Sequence, residues 1–442
     1  MSQSAVAPNA AKNPAHKTVF AGVRPEEVRA LLWSVLYIFC LLCCYYVLRP
    51  VRDTLGIDGG VRNLQWLFSA TLIAMLCLNL PFAALSRYLP RQRFIPWVYR
   101  FFLIHLLIFA ALMYWLPASQ RVWVGRIFFV WVSVFNLYVV SVFWSLVSDL
   151  FSRERATRLF GLIAAGATLG AIGGSALATL LAHHLSTSGL LLIAAVLLEV
   201  AVFCAGRLCR ITHLAQQEAQ EVQQPLGGSI WSGILAIFRS TYLLNICLYM
   251  LLYSITSTLL YFRQAELVQQ WFQLDSQRTT FFAATDLVVN LLTLFSQIFL
   301  TSRLLQRYGI PVVLGLLPLF SLLGFLSLSL WPVMASMIAF SVLRRAGNFA
   351  FARPAREVLF TVLGREDKYK AKNVIDTAVY RAGDQVGAWS WTLSGSLGLP
   401  AATLMWLALP VSLVWLANSQ WLGRRQQRLE ANTIHPKTRE IA

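Results

Sequence analysis

Apolar positions along the 442-residue chain gather in runs of about 20, with short polar stretches between them. At 1.5 Å per residue, a helical run of that length crosses a hydrocarbon core of roughly 30 Å. The runs predict twelve spans, at roughly 31–56, 64–86, 95–116, 122–148, 159–182, 189–206, 241–262, 279–300, 310–330, 332–352, 373–397 and 400–422. The first is long enough to tilt or project. Trp331-Pro332 and Gly398-Leu399-Pro400 mark very tight junctions. The longest polar interruption, 207–240, divides the spans six and six.

The halves echo each other. Span 5 contains Ala165-Gly166-Ala167-Thr168-Leu169-Gly170-Ala171, and span 11 contains Ala382-Gly383-Asp384-Gln385-Val386-Gly387-Ala388. Each lies on the fifth helix of its half, and glycines four residues apart let helices approach closely. The expected fold is an all-α membrane protein with twelve transmembrane helices in two pseudo-symmetric halves of six. A tail (1–30) precedes the first half (31–206). A linker (207–240), the second half (241–422) and a C-terminal tail (423–442) follow.

Composition agrees with this plan. The chain is 57% hydrophobic and 13% charged, with mean hydropathy +0.62. The formal net charge of +18 invites a nucleic-acid reading. The placement of Lys and Arg argues against it, because they crowd alternate short loops, as the positive-inside rule requires. Arg87, Arg91 and Arg93 follow span 2; Arg153, Arg155 and Arg158 follow span 4; Arg303 and Arg307 follow span 8. Arg353 to Lys372 follow span 10, and Arg424, Arg425 and Arg428 follow span 12. Both termini are therefore expected in the cytoplasm of a bacterial-type inner (plasma) membrane. Residues 1–28 carry no signal-peptide pattern and read as a retained tail.

The seven cysteines lie in or beside apolar runs, and Cys40-x-x-Cys43 reads as helix packing. His183-His184 reads as a loop pair. No metal site or cofactor is expected. No phosphate loop, zinc spacing or hydrolytic triad points to an enzyme.

Charges inside the spans change the picture most. Each costs on the order of 2.5–3.5 kcal/mol at a helix centre on insertion scales, so such residues pair or line a polar path. Arg49, Arg52 and Asp53 share one helix face, with Tyr45 and Tyr46 one turn earlier. Arg49, Arg52 and Arg62 also break the loop-charge rule. Arg344-Arg345 lies well inside span 10, but adjacent residues point about 100° apart. One is expected to face a cavity and the other to pair structurally, with Asn348 adding a polar contact. On span 11, Asp376, Tyr380 and Asp384 are spaced four apart, predicting one stripe with Arg381 beside it. Arg126 lies about one turn inside span 4, and Asp286 two turns into span 8. Glu199 on span 6 reads as structural.

Three stretches carry a resemblance. They are Leu48-Arg49-Pro50-Val51-Arg52-Asp53-Thr54-Leu55, Phe143-Trp144-Ser145 to Arg158-Leu159-Phe160-Gly161, and Lys368-Tyr369-Lys370-Ala371-Lys372 with Ile375-Asp376 and Arg381-Ala382-Gly383. They resemble span 1, the span 4–5 junction and the span-11 entry of the ATP:ADP translocase (nucleotide transporter) family, a branch of the major facilitator superfamily. The resemblance implies a twelve-helix transporter with a basic central site. Arg52 and Asp384 stand where that family usually has Lys. Span 7, Leu252-Tyr253-Ser254 to Leu259-Leu260-Tyr261, lacks its acidic residue. Gly170-Ala171-Ile172-Gly173-Gly174 resembles the superfamily's span-5 antiporter motif, with Ala in place of Pro, which implies exchange or export.

The resulting expectation is a monomeric secondary transporter in the lipid bilayer, working by alternating access on a small anionic solute. The solute is a nucleotide or another phosphorylated or carboxylated metabolite, moved by exchange or ion coupling. Candidate substrate residues are Arg49, Arg52, Arg344, Arg345, Arg381, Tyr45, Tyr46, Tyr380, Asn348 and Arg126. Candidates for coupling or charge balance are Asp53, Asp286, Asp376 and Asp384, with a proton or counter-solute as partner. A proton-coupled exporter of an organic solute, such as a siderophore or drug, is the alternative.

Overall fold

The computed structural model describes residues 25–88, 91–151, 153–216, 237–363, 371–372 and 374–434. Residues 1–24 of the predicted tail, 217–236 of the predicted linker, the basic loop residues Arg365, Lys368 and Lys370, and residues 435–442 lie outside them. So do the side chains of Arg87, Arg91, Arg93, Arg153, Arg155 and Arg158.

Among the described residues all regular structure is helical, the form in which an apolar segment satisfies its own backbone in lipid. The first half contains α1 (Val28–Asp58), α2 (Leu64–Tyr88), α3 (Arg91–Trp115), α4 (Ala118–Leu150), α5 (Arg153–Leu181) and α6 (Thr187–Gln216). The second contains α7 (Thr241–Trp271), α8 (Asp275–Ser296), α9 (Ser302–Leu330), α10 (Met334–Gly347), α11 (Arg353–Leu359), α12 (Tyr380–Ser396) and α13 (Ala401–Ile434). This is a multi-pass membrane protein.

Three π-helical turns occur among the described residues, all in the second half. Gln297–Thr301 joins α8 to α9, Asn348–Ala352 joins α10 to α11, and Ile375–Val379 leads into α12. The first two are tied together. Thr301 Oγ1 donates to the Ala350 carbonyl at 2.9 Å, and Gln297 Nε2 to that of Phe349 at 3.3 Å. The turn between predicted spans 8 and 9 falls at Gly309, whose φ of 75° only glycine adopts without strain. Helix α13 runs on into the predicted tail because Gly423 lets it lie against Pro311 and Leu429 packs on the second-half core.

The sequence repeat is a repeat of packing. In α5, a Cβ at Gly166 would lie 2.9 Å from the Val35 Cγ1, and one at Gly170 would collide with the Phe39 carbonyl oxygen, both on α1. In α12, a Cβ at Gly383 or Gly387 would lie 2.6 Å from the Ser254 Cβ or 2.8 Å from the Thr258 Cβ on α7. The fifth span of each half is thus pressed against the first span of the same half.

Each half has its own apolar core. One is built on α1, α3, α4 and α6; the other on α7, α9, α10 and α13. A further cluster mixes the two, with Ile57, Leu64 and Phe129 against Phe262, Val268 and Phe282. It lies where α1 and α7 end. Polar contacts between the halves gather there too. Arg278 pairs with Asp58 at 2.6 Å, Thr54 and Thr279 hydroxyls meet at 3.0 Å, and Ser69 donates to Gln385 at 2.8 Å. This end of the molecule is closed.

Candidate functional site

The halves also meet through charge, deeper in the bundle. Arg49 lies nine residues before the end of α1, and Asp286 and Arg345 each eleven residues after the start of α8 and α10. By helix rise all three sit about 15 Å below the closed end, near half the hydrocarbon thickness. Arg49 Nη1 is 3.4 Å from Asp286 Oδ1, and Arg345 Nη2 donates to the same oxygen. Asp286 is only 4% exposed, whereas Arg49 and Arg345 are 20% and 21% exposed. The other carboxylate oxygen, Oδ2, is buried without a hydrogen-bond partner. The Arg49 guanidinium also lies 5.7 Å from the Tyr46 ring, which meets Tyr45 edge-on at 5.4 Å. A carboxylate in this interior requires cationic partners, and here two from different halves share one oxygen.

One turn nearer the closed end, Arg52 donates to Asp53 Oδ1 from Nε at 3.0 Å and from Nη2 at 2.6 Å. Tyr261, from α7, donates to the same oxygen at 3.1 Å. Arg52 stacks 5.0 Å from Phe129. Arg49, Arg52 and Arg345 against Asp53 and Asp286 leave one positive charge uncompensated within the group. Among apolar helices that excess attracts an anion.

Arg344 does not join this group. It is 2% exposed and enclosed within the second half. Its Nε donates to Ser321 Oγ at 3.0 Å, and its Nη2 to the Tyr253 carbonyl at 3.0 Å and to Thr256 Oγ1 at 2.8 Å. Its guanidinium lies 5.2 Å from the Tyr253 ring and 5.9 Å from the Trp415 ring. Neutral acceptors and aromatic faces hold this cation, so of the adjacent pair it is Arg345 that reaches Asp286. Asn348 is buried where α10 passes into its π turn.

Span 11 enters through the π turn Ile375–Val379, and Asp376 within it pairs with Arg356 of α11 at 3.3 Å. Asp384 is 4% exposed and tied to α7 by Ser254 Oγ at 2.6 Å and Thr258 Oγ1 at 3.1 Å. Arg381 donates to its other oxygen at 3.3 Å and lies 5.7 Å from the Tyr380 ring. These residues form a second polar group inside the second half, apart from the ion pair between halves.

Arg126 lies apart from both. It donates to the Gly59 carbonyl at 3.3 Å and stacks 4.4 Å from Trp123, facing a groove between α2, α3 and α4. Residue-by-residue reading did not single out Tyr261, or the closing pairs Arg278–Asp58 and Thr54–Thr279. The charges at span ends were visible as residues, but their partners lie more than 200 positions away.

The sequence model of the Major Facilitator Superfamily matches residues 35–361. Similar solved structures include a bacterial homologue of the human lysosomal transporter Spinster, described as inward-facing and unoccupied. Its TM-score is 0.58 at 13% identity, covering 92% of this chain and 99% of that one. The nucleoside transporter NupG gives 0.55 at 15% identity, covering 92% and 99%. A bacterial homologue of the iron transporter ferroportin, in an inward-facing state, gives 0.61 at 15% identity, covering 91% and 98%. At these identities the likeness is one of fold. No curated protein sequence matches the chain.

Proposed function

Because this chain belongs to the major facilitator superfamily, a family of secondary transporters, we propose that it carries a small organic anion bound between Arg49 and Arg345. The observation that carries this reading is their convergence, from opposite halves, on one oxygen of Asp286. A phosphate or carboxylate placed there replaces Asp286 as the shared anion. Arg52, Tyr45 and Tyr46 flank it, and Asp53 holds Arg52 in place. Arg381 and Tyr380 are proposed to extend the site from the second half. Arg344 is proposed to support it by fixing α10 against α7 and α9.

Burial of Asp286 gives coupling a physical route. A carboxylate that loses both guanidinium partners while remaining buried is destabilised by several kcal/mol. That state is relieved by a proton on Asp286, or by return of Asp286 to the arginines once the anion leaves. The first gives anion–proton coupling and the second gives exchange. With the orientation expected from loop charge, the closed end faces outward and the site is reached from the cytoplasm. Opening outward then requires release of Asp58–Arg278 and Thr54–Thr279.

The test is counterflow into liposomes containing the purified protein, using a panel of labelled nucleotides, sugar phosphates and dicarboxylates. Nucleotides come first because of the span-1 resemblance. The reading expects at least one anion to exchange, and Arg49→Gln and Arg345→Gln each to abolish the exchange. Saturable transport of a neutral or cationic solute by both variants would overturn it and favour the exporter alternative. External pH separates the two coupling routes: only proton coupling makes net uptake follow the pH gradient.

A further inference from the structure

The groove beside Arg126 has chemistry that the transport site does not use. It encloses about 1310 Å³ between α2, α3 and α4 of the first half. Its walls include Trp66, Ala70 and Leu78 of α2, Trp97 of α3, and Trp123 and Val130 of α4. The lining from Asn63 to Leu78 runs along about 22 Å of helix, most of the way across a hydrocarbon core. Arg126 stands toward the end where α1 closes, between Trp123 and the Gly59 carbonyl. Its Nε is buried without a hydrogen-bond partner, and among the described residues no carboxylate pairs with it. An arginine without a counter-ion at the mouth of a long apolar channel is costly in lipid unless an anion reaches it. Trp66 and Trp123 are 59% and 64% exposed beside it, the amphipathic rings that settle at headgroup level.

We propose that this groove is a binding site for an anionic phospholipid, with an acyl chain between α2, α3 and α4 and the headgroup phosphate on Arg126. Two features select that occupant. The walls are apolar over a length that suits a hydrocarbon tail and not a small metabolite. Among the described lining residues Arg126 is the one cation, and a phosphodiester beside it supplies the missing charge. A zwitterionic lipid also carries a phosphate, but its ammonium group offsets the charge Arg126 would gain. Preference for anionic headgroups is therefore expected to be moderate, about fivefold over the bulk ratio. That corresponds to ~1 kcal/mol, typical of one basic side chain near an anionic lipid surface.

The experiment uses the full chain in nanodiscs of three parts phosphatidylcholine to one part phosphatidylglycerol, with matched acyl chains. After gentle detergent extraction, native mass spectrometry counts retained lipid. Wild type is expected to keep phosphatidylglycerol about fivefold above its share of the mixture. Arg126→Gln should return retained lipid to the bulk ratio. Ala70→Trp, which fills an exposed position in the groove and keeps the arginine, should lower retention of both lipids. Wild-type retention at the bulk ratio, or an unchanged preference in Arg126→Gln, overturns the proposal. Competition by inorganic phosphate or dihexanoyl phosphatidylglycerol as strong as that by the long-chain lipid would reduce the site to a free-anion site, and would equally overturn it. None of these readouts depends on transport, so failure here is distinct from failure of the Arg49–Arg345 reading.

Discussion

Replacing Asp286 by Asn keeps the shape of the side chain and removes the charge that Arg49 and Arg345 share. At an effective dielectric of about 20, each pair at roughly 4 Å is worth about 4 kcal/mol in attraction before the cost of dehydration. Removing one member of a buried pair typically costs ~3–5 kcal/mol because its partner is left uncompensated. Here both arginines are about one-fifth exposed, so water recovers part of that cost. A net destabilisation of ~2–3 kcal/mol follows for Asp286→Asn. The decisive quantity is coupling. In a double-mutant cycle with Arg345→Gln, the second substitution removes one of the two stranded cations and should recover ~1–2 kcal/mol. Unfolding in mild detergent, followed by the fluorescence of the native tryptophans, measures all four corners. Effects that add to within ~0.5 kcal/mol would show that the two residues do not act as a unit, and would refute the shared-anion argument.

Three further outcomes are expected. Gly170→Leu should destabilise the protein by ~1–3 kcal/mol or more, because even its Cβ meets the Phe39 carbonyl, whereas Gly161→Ala, with open space around it, should be neutral or stabilising; thermal unfolding compares them. Arg344→Gln should lower stability by ~2 kcal/mol or more, yet leave the apparent affinity for the transported anion close to wild type, while Arg345→Gln should abolish uptake; matched unfolding and uptake curves separate them. Arg278→Gln should loosen the closed end, so that Thr279→Cys, in a chain whose exposed Cys77 is replaced by Ser, reacts faster with a membrane-impermeant thiol reagent; equal rates with and without Arg278 would remove that pair from the gate.

The glycine repeat shows how far sequence reading reached. The A-G-x-x-[LV]-G-A pattern placed the fifth span of each half in an equivalent role, and both do press on the first span of their half. The pattern did not say which helix each touches, because close approach needs only a small residue and any neighbour satisfies that. The span-11 stripe shows the opposite outcome. Spacing by four put Asp376, Tyr380 and Asp384 together, but Asp376 pairs with Arg356 while Asp384 is held by Arg381, Ser254 and Thr258, because spacing along one helix names no partner on another.

Hydrophobic runs by themselves determined that the chain is helical and crosses a membrane many times, since lipid leaves an apolar backbone few alternatives. Embedded charge by itself marked where lipid alone is a poor environment. Only the tertiary structure decided which charges meet. Adjacent Arg344 and Arg345 are chemically identical and point about 100° apart, so the rotation of α10 sends one into neutral acceptors and the other onto Asp286. That rotation is set by packing against helices tens to hundreds of residues distant, and no local pattern in the sequence carries it.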